Sequence, residues 1–174
     1  MELELKPANY LLDDVPCLCL VAEVKNSDLP GGLATRHIAS FHKDPICKIY
    51  LLGREPTHIS DWQQGFLDKL FKFGGLATAV AEGMKDYEDG VVGADCYFEC
   101  MRRERDRKII AECGFLPFLT IAYVVIDDIE RRVIISAYTV FDGGLDEHGI
   151  TIYLSGSRWC FDDASHFLAY KANS

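Results

Sequence analysis

The chain has 174 residues, 49% of them hydrophobic, which fits one compact domain over 1–174 with a single core. Its formal net charge of −9 repels nucleic acid and anionic lipid at long range and steers a basic partner inward. The start lacks a basic n-region and its apolar run, Val15–Val24, is interrupted by Glu23, so neither a secretion signal nor a membrane span is expected there.

In chain order, Val15–Val24 reads as the first strand and Ile46–Leu52 as its partner. The turn residues Pro30, Gly31 and Gly32 lie between them, and a third strand is expected around Thr35–Phe41. From Ser60 the period changes. Trp62, Phe66, Leu70, Phe73, Ala77, Val80, Met84 and Tyr87 recur at intervals of three and four, as one helix face requires. Ser60 and Gln63 have the spacing of a capping box at the helix start. Gly74–Gly75 weaken a continuous helix by about 1 kcal/mol each, so the segment to Tyr87 is expected as one long kinked helix or two stacked ones. The stretch Asp89–Gly114 mixes loop signals with a charged run and stays open. Beyond it Phe118–Ile126, Arg132–Phe141, Gly149–Leu154 and Arg158–Phe161 read as strands of a meander, because their short connections favour antiparallel neighbours. The expected class is α+β: an antiparallel sheet of N-terminal strands plus C-terminal meander, packed against the amphipathic helical segment.

Chemistry concentrates in FDGGLDEHGI, Phe141–Ile150. If strand alternation continues backwards from Ile150, His148 and Asp146 share the core side and Glu147 the other; a bulge at Gly149 would turn both towards water. Asp142, Asp146, Glu147 and His148 are the candidate binding residues. A metal set could be drawn from Asp142, Asp146, His148, Asp162 and His166, but no motif with metal-ligand spacing supports it, and neither a metal nor a cofactor is expected. Cys160 and His166 form no recognisable nucleophile motif. The seven cysteines are odd in number, have no C-x-x-C pair and fit reduced thiols in a cytoplasmic protein; Cys17 and Cys19 read as small core residues. The run Arg102–Lys108 carries five basic and two acidic residues, the mixed pattern of a solvated face.

The helix running into Tyr87 and the later hairpin with Asp146-Glu147-His148-Gly149-Ile150-Thr151-Ile152 resemble a family of small uncharacterised bacterial domains. Some of these are similar to the immunity proteins of contact-dependent and polymorphic toxin systems. The resemblance runs from the helix to Leu154, with Leu145 where an aromatic residue usually precedes the acidic pair. It implies a non-enzymatic protein-binding module and singles out Glu147, His148 and Gly149. Net acidity agrees with electrostatic capture of a basic toxin or nuclease. The alternative is a small enzyme, metal-assisted or not, that uses Asp146 and His148 of the 142–148 hairpin; a third class is a subunit that self-associates through a sheet edge.

Overall fold

The computed structural model describes residues 3–12, 15–30, 45–55, 57–90, 108, 112, 119–141 and 144–163; side chains are described for these except 10–12, 15–18, 87–90, 138–141, 144–149 and 162–163. Among the described residues seven strands form one sheet whose spatial order is the chain order: β1 (Lys6–Leu12), β2 (Val15–Lys25), β3 (Ile46–Leu52), β4 (Leu119–Asp127), β5 (Arg132–Phe141), β6 (Gly144–Ser155) and β7 (Arg158–Asp163). Helices α1 (Asp61–Leu67) and α2 (Gly75–Gly90) fall between β3 and β4 in the chain, so the class is α+β.

The sheet is mostly antiparallel, with one exception: β3 and β4 run parallel. Parallel neighbours cannot be joined by a tight hairpin, and this pair is joined by the long segment that carries both helices. The first strand is also corrected. It is Lys6–Leu12, one element earlier than expected, paired antiparallel with Val15–Val21. Pro7 and Asn9 disguise it in the sequence, yet proline is tolerated on a strand at the edge of a sheet. The expected strand at Thr35–Phe41 and nearly all of Asp89–Gly114 lie outside the described residues.

At the start of α1 the capping box is present: the Gln63 N–H donates to Ser60 Oγ at 3.2 Å, and the Ser60 N–H donates to Gln63 Oε1 at 3.1 Å. A π-helical turn, Asp68–Lys72, follows α1, closed by the Phe73 N–H donating to the Asp68 carbonyl at 3.0 Å. Gly74 (φ 73°) then ends the helical run, and α2 restarts at Gly75, where a Cβ would stand 2.5 Å from the Lys69 carbonyl oxygen.

Across these interruptions Leu70, Val80 and Met84 are buried as expected, whereas Phe73, expected on the same face, is 74% exposed; Leu76 and Ala79 complete the buried face of α2. They share one core with a row that crosses the sheet in register, Ala22, Ile49, Val124, Ile135 and Ile152. α2 contacts β6 and β7, and α1 contacts β4. A second cluster, Cys19, Leu52, Val125 and Ile134, is buried on the other face beside Tyr50, Tyr123 and Tyr153. The central strands are therefore apolar on both sides. Among the described residues no helix is long and apolar enough to cross a membrane.

Candidate functional site

The pairing register sorts the acidic residues between the two ends of the sheet. β5 ends at Phe141 opposite Gly144, where β6 begins. β7 runs back towards that end, with Asp162 opposite Thr151 and Asp163 opposite Ile150. Asp146 and Glu147 on β6 and Asp162 and Asp163 on β7 thus lie on adjacent strands at one corner of the sheet. Asp142 belongs to the connection at the same end but lies outside the described residues.

Within this corner the β5–β6 ladder is irregular. Tyr138 pairs with Gly149 and Val140 with Leu145, so Thr139 alone stands opposite Asp146, Glu147 and His148. The β5–β6 pairing is thus interrupted between Gly149 and Leu145. The side chains of Asp146, Glu147 and His148 lie outside the described set.

Asp127 and Asp128 sit at the opposite end, in the β4–β5 turn, and their roles there are structural. Asp127 is fully buried; its Oδ1 accepts the N–H groups of Ile129 at 3.0 Å and Glu130 at 3.1 Å, and its Oδ2 accepts Arg132 Nη2 at 3.4 Å. A carboxylate at this turn supplies the acceptors that the tight backbone needs. Asp128 accepts the Ser60 hydroxyl at 3.0 Å and pairs with Arg131 at 2.8 Å, tying the turn to the start of α1. Arg131 takes φ 55° there, and its guanidinium stands 5.1 Å from the Trp62 ring centroid.

Two clefts are formed by described residues. One, of about 350 Å³, separates the last turns of α2 from the β6–β7 turn and is lined by Glu82, Lys85, Asp86, Ser157, Arg158 and Trp159. Asp86 ties the α2 wall to β7 at two points: its Oδ1 accepts Arg158 Nη2 at 2.9 Å and its Oδ2 accepts the Phe161 N–H at 3.1 Å. The other, of about 360 Å³, lies between Leu3 and Leu5 of the N-terminal segment and Ile59, Leu67 and Phe71.

The described thiols are placed for packing. Cys19 and Cys47 are buried, and burial pushes the Cys47 thiol up to about 12, which suppresses thiolate chemistry there. Cys160 is part-exposed on β7, and its sequence-suggested partner His166 lies outside the described residues. Among the described residues no three His, Cys, Asp or Glu side chains gather to hold a metal ion; the set drawn from Asp142, Asp146, His148, Asp162 and His166 falls on side chains outside them.

Sequence reasoning identified Gln63 as a cap but missed its larger role. Its Nε2 donates to the Leu52 carbonyl at 2.8 Å and the Ile126 carbonyl at 3.2 Å. It also missed Asp86, whose partners are 72 and 75 residues away and leave no local signal. No protein-family model, no curated protein and no solved structure matches the chain.

Proposed function

We propose that this chain is a non-enzymatic protein-binding module of the immunity type, which captures a basic toxin or nuclease at the acidic corner of its sheet. The observation that carries this reading is the register: it gathers Asp146 and Glu147 with Asp162 and Asp163 on adjacent strands, in a chain of net charge −9. Acidic residues at one end of a sheet accelerate encounter with a basic surface. By contrast Asp127 and Asp128, at the other end, spend their charge on a turn and on α1.

The test is affinity capture from lysate of the source cells at about 0.05 M and about 0.5 M salt, between which the screening length falls severalfold. The wild-type chain should retain a stoichiometric basic protein at the lower salt and release much of it at the higher. Reversal of Asp142, Asp146 and Glu147 to lysine should slow association at low salt and change little at high salt. Association with the same rate for both chains at every ionic strength would remove the corner as the capture surface.

A further inference from the structure

We infer that the outer row of α1, Asp61, Gly65 and Lys69, is a self-association surface, on which a second copy of this chain packs its own α1 antiparallel across a two-fold axis at Gly65. This is independent of capture by the acidic corner and concerns a different occupant. The three residues are spaced by four along the helical run that α1 and its π-helical turn form, so they stand on one side of it. That side faces water. All three are exposed, whereas Gln63, Leu67, Leu70 and Phe71 turn to the core.

Gly65 has no steric reason inside the fold. Gly74 takes φ 73°, and a Cβ would stand 2.5 Å from the Lys69 carbonyl oxygen at Gly75 and 2.6 Å from Ile152 Cγ2 at Gly83, but at Gly65 it would meet nothing within 4 Å. After proline, glycine is the residue that a helix interior tolerates least, and what it gives in return at an open position is close approach of another group to the backbone. The charges on either side of it are also unmatched. The adjoining row satisfies itself, since Gln64 Nε2 donates to Asp68 Oδ1 at 3.1 Å and Lys72 pairs with Asp68 at 3.9 Å. Among the described residues Asp61 and Lys69 enter no ion pair, and the Lys69 ammonium lies 5.8 Å from the Phe66 ring centroid.

An antiparallel helix centred on Gly65 sets Asp61 opposite Lys69 of the second copy and Lys69 opposite its Asp61, because each lies four residues from the axis. Packing of such rows against each other is the commonest helix contact in globular proteins, and a small residue at the crossing allows the closest approach. Trp62 and Phe66, half-buried and packed edge to face at 4.8 Å, flank the row and gain cover from the second helix. Moving the axis one turn either way fails, since it sets Asp61 on Asp61 or Lys69 on Lys69. The row is therefore self-complementary in one register, as a closed two-fold interface needs. The run from Asp61 to Lys72 is only about 18 Å long, short of a standard interface, and a charge of −9 on each copy opposes approach. The dimer is accordingly a reversible one.

Sedimentation equilibrium of the full chain, kept reduced at about 0.15 M salt and carried to about 1 mM protein, tests this. The wild-type chain should show a monomer–dimer equilibrium. Gly65→Leu should weaken it at least about tenfold with a thermal midpoint no lower than wild type, because the space around residue 65 is open and leucine is the better helix former. A glycine without this role would leave association unchanged. Asp61→Lys and Lys69→Asp each set like charges across the axis, so each variant alone should associate less than wild type. Mixed in equal amounts the two should associate more than either alone, since every lysine then meets an aspartate of the other chain. Asp61→Lys also removes a carboxylate from the first turn of α1; if it does not fold, Gly65→Leu and Lys69→Asp decide. A wild-type chain that stays monomeric, a Gly65→Leu chain that dimerises as wild type does, a folded Lys69→Asp chain that associates undiminished, or a mixture of folded variants no better than its parts would overturn the inference. Reversal of Asp142, Asp146 and Glu147 should leave the dimer in place, so failure of basic-partner capture and failure of this surface are separable.

Discussion

The side chain of Asn26 pairs with the backbone of Ile121 as a strand would: its Nδ2 donates to the Ile121 carbonyl at 2.9 Å, and its Oδ1 accepts the Ile121 N–H at 2.8 Å. The pair sits where the parallel ladder between β3 and β4 has not yet begun, since the first registered partners are Lys48 and Tyr123. Asn26 also donates to the Pro45 carbonyl through both its N–H and its Nδ2. One buried amide thus completes the ladder just ahead of β3 and ties it to β4. Asn26→Leu removes both partners of Ile121 and leaves a buried N–H and carbonyl unsatisfied, a cost of about 1–3 kcal/mol for each group. Asn26→Asp keeps the acceptor and loses the donors. We expect a urea midpoint lowered in both variants, further in Asn26→Leu; a leucine variant as stable as wild type would mean that the amide bonds contribute nothing net.

Gln63 performs the matching task at the other end of the same parallel pair, where its Nε2 holds the carbonyls of Leu52 and Ile126. Gln63→Glu separates its two roles. Glutamate is an equally good capping-box partner for Ser60, but it has no donor for those carbonyls and would bury a charge beside them, because residue 63 is 2% exposed. The expected loss is about 2–4 kcal/mol from unsatisfied carbonyls and charge burial together. Thermal unfolding checks this: an unchanged midpoint would show that the cap alone matters.

These two amides also explain what the sequence could and could not disclose. Ile46–Leu52 and Arg132–Phe141 were readable to the residue because β-formers and alternation are local properties, and the Ser60–Gln63 spacing marked the start of α1 for the same reason. The parallel pairing of β3 with β4 was not, since it is held at its ends by Asn26 and Gln63, which act across 95 and 63 residues. Phe73 is exposed just after a π-helical turn, which has no signature in a three-and-four repeat. At the candidate corner, the acidic residues were legible one by one. Their gathering was not, because it depends on which strands are neighbours and on the ladder irregularity opposite Thr139.

Gly83 is the contact point between α2 and the sheet. A Cβ built there would stand 2.6 Å from Ile152 Cγ2 and 2.9 Å from Cγ1, and both atoms move only by rotation about the χ1 bond, which is stiff in a β-branched side chain. Gly83→Ala gains about 1 kcal/mol of helix propensity and incurs about 1–3 kcal/mol of overpacking, so the net expectation is a loss. The two can be told apart with Ile152→Ala, which alone should cost about 2–5 kcal/mol through the cavity it leaves. In the double variant the new methyl enters that space, and the combined loss should fall short of the sum. Strict additivity in a double-mutant cycle would place the helix further from β6 than the structure does.

Stability should also fall in alkali through Cys47, and the direction follows from proton counting. Desolvation by burial pushes its thiol up to about 12 from the ordinary 9.0. The folded state therefore keeps the proton while the unfolded chain releases it, so unfolding gains free energy as pH rises between those values. The contribution is intact below 9 and is lost towards 12, at a slope of about 1.4 kcal/mol per pH unit once the unfolded thiol is ionised. Tyr50 is shifted upward chiefly by burial and acts in the same sense, so the comparison that isolates Cys47 is wild type against Cys47→Ala. Alanine should lower stability at neutral pH by about 1 kcal/mol for the lost sulfur packing, and its stability should decline less steeply from pH 9 to pH 11. Urea titrations of both chains at pH 8, 9.5 and 11 read this directly, and parallel pH profiles would show that Cys47 ionises as readily when folded as when unfolded.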